Sequence, residues 1–307
     1  MDAKKLLKDA LSGIDPGAWG SVRTSHPEML LAAAASLAAY AHPTEFELNE
    51  TRRAIVVPSE TFRRSVGRKE IFDSGSIPGS EGLIGFVETR YFVAATIKIR
   101  DFVLIAYRGT ADAYDLFLDM KFSKIKLPSP RALNIKAHRG FAKAFAEGFP
   151  YVYDHLKSLE PYDHLIGTGH SLGGAICTLH NAVSNRYSNC LTNPFYWHHR
   201  NLHLHAMDYC VTFGCPKVGN LEFALNCPWG TNAYRSDDLV PNLPPSVMGF
   251  ESQPMGRALQ DPHVPSGLID RWLRPLRTAR SRFTFAGHSM EAYVDVCAKL
   301  AGVTIDP

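Results

Sequence analysis

Residues 164–180 read HLIGTGHSLGGAICTLH, and how this stretch is read decides how the whole chain is read. A strand-like run meets Gly169-His170-Ser171-Leu172-Gly173, and small residues follow. Gly-x-Ser-x-Gly alone is weak evidence, because any tight turn that needs glycine can satisfy it. The setting says more: a strand before it, helix-forming residues after it, and small side chains where the two elements must pass closely. A serine in such a strand-to-helix turn has a strained backbone and a hydroxyl that points outward. The N–H of Leu172, at the start of the helix, then faces any oxyanion that forms on Ser171.

A serine hydroxyl attacks poorly unless a base takes its proton, and the base needs a carboxylate to orient it. With this kind of elbow the partners follow in the order serine, aspartate, histidine. Downstream stand YRSDDLVPNLPP (234–245) and FAGHSMEAY (285–293), which offer Asp237 or Asp238 and then His288.

The rest of the 307 residues bounds the reading. With 45% hydrophobic and 21% charged residues, the composition is that of an ordinary globular protein. No repeat or low-complexity linker divides it, so residues 1–307 are expected to form one domain. A formal charge of +3 without a long basic tract argues against nucleic acid as a partner. The longest apolar run, MLLAAAASLAAYA (29–41), is too short for a bilayer span and predicts a buried core helix rather than a signal-peptide core. MDAKKLLKDALSGID (1–15) reads as a surface helix, and no signal peptide is evident. The expectation is a protein that is cytoplasmic or exported without a cleaved signal. Six cysteines without a CxxC pair exclude a dense disulfide framework and suit buried thiols.

Strand-like runs LIGFVE (83–88), YFVAATIKI (91–99) and FVLIAYRG (102–109) follow a polar, turn-rich segment, and Arg100-Asp101 suits a tight hairpin between the last two. Phe141, Phe145, Phe149, Val152 and Leu156, three and four apart, predict a helix that Pro150 kinks or restarts. DHLIGT (163–168) and MDYCVTFG (207–214) read as strands, and 173–186 and 289–303 as helices. This alternation predicts an α/β fold with a mostly parallel central sheet, helices on both faces and an antiparallel N-terminal portion.

Five segments carry a resemblance. GTGHSLGGA (167–175), IAYRGT (105–110), AHRGFAKAF (137–145), VTFGCPKVGN (211–220) and DDLVPNLPP (237–245) resemble, in order, motifs of the class 3 lipase family, the fungal-lipase-like α/β hydrolases. Tyr107 stands where phenylalanine is usual in that family. The resemblance implies an α/β-hydrolase fold, with Ser171 as nucleophile, His288 as general base and Asp238, which precedes Leu239-Val240-Pro241, as the orienting acid; Asp237 is the fallback. It implies a second oxyanion donor at Thr110 beside Leu172. It also implies a short lid in TADAYDLFLDM (110–120), where Tyr114, Leu116, Phe117 and Met120 are expected to cover the site or touch substrate. The family's usual tryptophan is Leu116 here, so strong interfacial activation is not implied.

The activity so implied is hydrolysis of acylglycerol esters through an acyl-enzyme, with no cofactor and no metal. The partners are a lipid or other ester substrate and transient contact with a lipid surface, with oligomeric state left open. The rivals are a phospholipase A1, a soluble or aryl (feruloyl-type) esterase, and a non-catalytic lipid-binding module on the same fold. Other features have plainer readings. The histidines of HHRNLHLH (198–205) read as a solvated loop rather than a metal site, since no Cys, Asp or Glu joins them. RWLRPLRTARSR (271–282) reads as solvated surface, with docking to anionic lipid as the alternative. His138 and His170 are expected to be structural.

Overall fold

The computed structural model describes residues 26–40, 55–58, 80–89, 91–99, 102–108, 122–129, 133–184, 207–226, 230–254, 256–259 and 288–302. Helix α1 (His26–Tyr40) comes first, then strands β1 (Ile55–Pro58), β2 (Ser80–Glu88), β3 (Val93–Ile99) and β4 (Phe102–Arg108). A small hairpin, β5 (Lys124–Lys126) and β6 (Lys136–His138), leads into helix α2 (Arg139–Ser158). Strand β7 (His164–His170) runs into helix α3 (Leu172–Ser184), followed by β8 (Tyr209–Phe213), α4 (Leu221–Asn226), β9 (Gly230–Arg235), β10 (Gly256–Leu259) and α5 (Met290–Leu300).

The main sheet has the order β1-β2-β3-β4-β7-β8-β9-β10. From β1 to β4 neighbours are antiparallel, and from β4 onward they are parallel. The change at β4 follows from connection length. Two residues join β3 to β4, which permits only a hairpin, whereas β4 reaches β7 through α2, the kind of crossover that parallel pairing requires.

Strand β4 shows why the sheet is covered on both sides. Leu104 and Ala106 enter one apolar cluster with α1 and α5, while Val103, Ile105 and Tyr107 enter the other with α2 and α3. Alternate residues point to opposite faces, so a strand that is apolar at every position needs a helical layer on each side. The Ala-rich run, from Met29 to Tyr40, belongs to α1 as a core helix: Met29 through Ala35 are almost wholly buried.

The five residues spaced for α2 are all buried, on a face shared by both halves of the helix. Pro150 lies inside α2 without ending it or restarting it. Proline in a helix interior costs about 3 kcal/mol. Burying a phenylalanine, valine or leucine side chain returns about 1.5–3 kcal/mol each, so the packing of Phe145, Phe149, Val152 and Leu156 outweighs the break.

Five strands were not legible in the sequence. Strand β1 lies within the segment read as polar and turn-rich, and β5, β6, β9 and β10 are short or polar. Their pairing partners supply what their composition lacks. Cys177, Cys210, Cys215 and Cys297 are buried and free, as apolar surroundings suggested.

Candidate active site

Ser171, the residue between β7 and α3, has φ +57°, which among the described residues no other non-glycine shares on the positive side. Left-handed backbone costs a side-chain-bearing residue about 1–3 kcal/mol and persists only where its surroundings enforce it. Here the Ser171 N–H donates to Phe213 O at 3.0 Å, tying the turn to the end of β8, while the Ala175 N–H donates to Ser171 O at 3.2 Å and starts the helix. Gly173 allows the approach: a Cβ there would collide with the Tyr107 carbonyl on β4. Ser171 is 1% exposed, and its Oγ has no hydrogen-bond partner among the described residues.

Asp238 follows β9, and His288 precedes α5. The Nδ1–H of His288 donates to Asp238 Oδ2 at 2.8 Å, and the pair is buried. The Val240 N–H donates to Asp238 Oδ1 at 2.9 Å, so the same aspartate also holds the first residue of the Val240–Asn242 turn. Asp237 turns the other way. Arg235 holds it through two hydrogen bonds, at 3.1 and 2.8 Å, on the exposed side. Burial works to raise the Asp237 carboxyl, but these bonds outweigh it and hold the pKa below the ordinary value. Of the two candidate acids, then, only Asp238 meets His288.

The pair lies at the same end of the sheet as the serine, although Ser171 Oγ makes no hydrogen bond to it. Phe213, which accepts from Ser171, is followed by Gly214 at φ +56°. A Cβ on Gly214 would lie 2.6 Å from Asp238 Oδ2 and 3.0 Å from the His288 ring. Ser171, Gly214 and Asp238 each follow the carboxyl end of a parallel strand, the edge where open α/β sheets place their ligands. Next to Ser171, the His170 ring packs on the His288 ring with centroids 4.6 Å apart. Leu172 is the first residue of α3, so its backbone N–H belongs to the orphan donors of that helix end. Thr110, Tyr114, Leu116, Phe117 and Met120 lie outside the described residues, as do the 198–205 histidines and the 271–282 arginines.

Two contributors escaped the sequence reading. Tyr293 was quoted within FAGHSMEAY without a role, yet its hydroxyl donates to Asp238 Oδ2 at 2.6 Å. Burial, and then the neighbouring Asp238 charge, raise its pKa well above the ordinary value, so it stays a donor. The one available signal was its place about one turn into the helix that His288 introduces. Gly214 was quoted within VTFGCPKVGN without a role; its lack of a side chain makes room for the aspartate–histidine pair. His138 is structural, as expected. Its Nδ1 accepts from the Gly140 and Phe141 N–H groups at the start of α2, and burial lowers its pKa to about 4, which preserves that acceptor.

Residues 104–248 match the family model described as lipase (class 3). Over these residues the chain is similar to the class 3 lipase family. The class 3 lipase match takes in the nucleophile turn and Asp238, and His288 lies beyond it. The chain is 28% identical over 183 residues to the secreted mono- and diacylglycerol lipase 1 of Fusarium solani, covering 57% of this chain and 47% of that protein. It is 28% identical over 158 residues to lipase ZK262.3 of Caenorhabditis elegans, covering 50% of this chain and 40% of that protein. The chain thus spans about half the length, or less, of these curated relatives. The crystal structure of a mutant form of MDLA from Penicillium cyclopium superposes with a TM-score of 0.52 at 18% identity, over 81% of this chain and 86% of that one. The fold is that of the α/β hydrolases, with a mostly parallel sheet, an antiparallel N-terminal portion and helices on both faces. Among the described residues no helix is long and apolar enough to cross a membrane.

Proposed function

We propose that this protein is a serine carboxylester hydrolase that cleaves acyl esters of acylglycerols through an acyl-enzyme intermediate. The observation that carries this reading is the strained Ser171 set beside a buried Asp238–His288 pair at one edge of the sheet. Backbone strain at a buried serine and a desolvated carboxylate–imidazole pair both cost stability, and nucleophilic catalysis accounts for both together.

Ser171, His288 and Asp238 take roles that their placement supports, and Thr110 and residues 110–120 take theirs from the family resemblance. Ser171 Oγ attacks the ester carbonyl carbon while its proton passes to Nε2 of His288, the ring nitrogen opposite the one engaged by Asp238. Asp238 holds the imidazole tautomer and stabilises the imidazolium that forms. The N–H groups of Leu172 and Thr110 bind the tetrahedral oxyanion. His288 then gives its proton to the departing alcohol, and a water deprotonated by His288 releases the fatty acid and restores Ser171. The family resemblance assigns residues 110–120, with Tyr114, Leu116, Phe117 and Met120, to a lid over the acyl site. The name of the Fusarium relative supports mono- and diacylglycerols as the first substrates to try.

Labelling with a fluorophosphonate probe, followed by a panel of tri-, di- and monoacylglycerols, phospholipids and aryl esters, tests the proposal. The expected result is labelling at Ser171, hydrolysis of acylglycerols, and loss of both in Ser171→Ala. An unlabelled Ser171, with ester cleavage intact in Ser171→Ala, would overturn it. A sharp preference for short soluble esters would replace the lipase reading with an esterase one.

A further inference from the structure

His170 is the one titratable side chain of the nucleophile turn that the mechanism does not use, although it is buried beside the site. Its ring is surrounded by three others. The His288 ring lies 4.6 Å away at 35°, Tyr40 lies 5.8 Å away at 60°, and Tyr293 lies 5.8 Å away at 61°. Tyr40 OH and His170 Nδ1 share a 2.7 Å hydrogen bond. The Arg108 guanidinium also lies over the Tyr40 ring, 5.2 Å from its centroid.

That bond is built into the register of α1 on β7. Ser36 Oγ and Thr168 Oγ1 are joined at 2.8 Å, and Thr168 Oγ1 also lies within bonding distance of Ala32 O and Val211 O. From Ser36 to Tyr40 the helix advances four residues, about 6 Å on the same face. From Thr168 to His170 the strand advances two residues, about 6.6 Å on the same face. The two hydrogen bonds are therefore successive rungs between one helix and one strand, and the second rung ends on the His288 ring.

We propose that His170 is a positioning residue for His288: held by Tyr40, its ring forms the wall against which the His288 imidazole is set in the plane that serves Ser171. This rests on the hydrolase reading above. The wall suits its task because it stays neutral. Burial, and then the proximity of His288, hold the His170 pKa well below the ordinary value, so His170 puts no second positive charge beside the imidazolium that forms in the transition state.

The test uses Tyr40→Phe, which leaves the turn's own residues untouched, together with His170→Ala and His170→Phe. Two quantities are measured: kcat and KM per site titrated by the fluorophosphonate probe, and the downfield proton resonance of His288 Nδ1–H. A misplaced catalytic group costs up to about a hundredfold, so His170→Ala is expected to lower kcat by about that factor. Tyr40→Phe is expected to lower it about tenfold, with KM within about twofold in both variants. His170→Phe restores a ring wall and recovers part of the loss, and the resonance is displaced or broadened in Tyr40→Phe and His170→Ala. Lower thermal stability alone, with kcat per titrated site and the resonance unchanged, overturns the proposal. If the wild-type protein is not labelled, the hydrolase reading fails and the resonance alone decides: displacement in Tyr40→Phe upholds the positioning role, and no displacement overturns it.

Discussion

The Tyr293 hydroxyl lies 2.6 Å from Asp238 Oδ2, the same oxygen that accepts the His288 Nδ1–H at 2.8 Å. With the Val240 N–H on Oδ1, the carboxylate has three donors around it and no exposed side-chain surface. Tyr293→Phe removes one donor from a buried charge. The expected cost is about 1–3 kcal/mol of stability, read as a lower urea midpoint with the slope unchanged.

The two adjacent aspartates are expected to separate in kinetics. Asp238→Asn leaves the shape intact but reverses the demand on His288 Nδ1, and kcat should fall about 10⁴-fold. Asp237→Asn loosens only an exposed contact with Arg235 and should leave kcat within about threefold of wild type. Equal losses at the two positions would contradict the assignment of Asp238.

Ser171→Gly is expected to stabilise the protein by about 1 kcal/mol, because glycine adopts φ +57° without the steric cost that serine bears. The same substitution removes the nucleophile and should abolish labelling by the fluorophosphonate probe. Thermal unfolding of Ser171→Gly and Ser171→Ala side by side isolates the backbone term, since alanine keeps the strain.

Tyr107 and His180 share a 2.7 Å hydrogen bond inside the core, between β4 and α3. Tyr107→Phe therefore leaves a buried imidazole nitrogen without its partner and should cost about 1–3 kcal/mol, although phenylalanine is the residue usual in the family. The double variant Tyr107→Phe/His180→Leu replaces both polar partners with apolar groups and should recover most of the loss. Urea unfolding of the four-member cycle measures the coupling.

Stability should fall as the solution becomes acidic, starting well above the carboxylate range. Burial lowers the pKa of His138 and His155 to about 4 and that of His180 to about 3. In the unfolded chain each titrates near 6.5. Between pH 6.5 and about 4 the unfolded state therefore binds more protons, and stability decreases as pH falls through that window. Each histidine contributes up to about 1.4 kcal/mol per pH unit. Urea midpoints at pH 7, 5.5 and 4.5 check this, and His180→Leu should show a shallower decline than wild type.

Much of the fold was legible because its strands are apolar at consecutive positions and its helices carry their apolar residues three and four apart. FVLIAYR and DHLIGT announce buried strands, and Phe141 to Leu156 announce α2, by composition alone. Strands β1, β9 and β10 were hidden because a short or polar strand is stabilised by the neighbour it pairs with, and no local signal reports that neighbour. Pro150 illustrates the opposite case, a strong local signal overruled by packing on either side.

For the site, the sequence by itself determined which groups are present and in what order: a serine between glycines, two candidate acids, then one histidine. Residue order carries that much because the strand-turn-helix at Ser171 is a local device, specified by the residues within it. The family resemblance named Asp238 as the acid with Asp237 as the fallback, and only the tertiary structure places Asp238 against His288 while Asp237 stays with Arg235. The tertiary structure alone brought Tyr293 to the acid, Gly214 beneath the pair and Tyr40 to His170, across separations of 55, 24 and 130 residues. Contacts between residues so far apart in the chain form when helices pack on a sheet, and the spacing of residues within any one segment does not encode them.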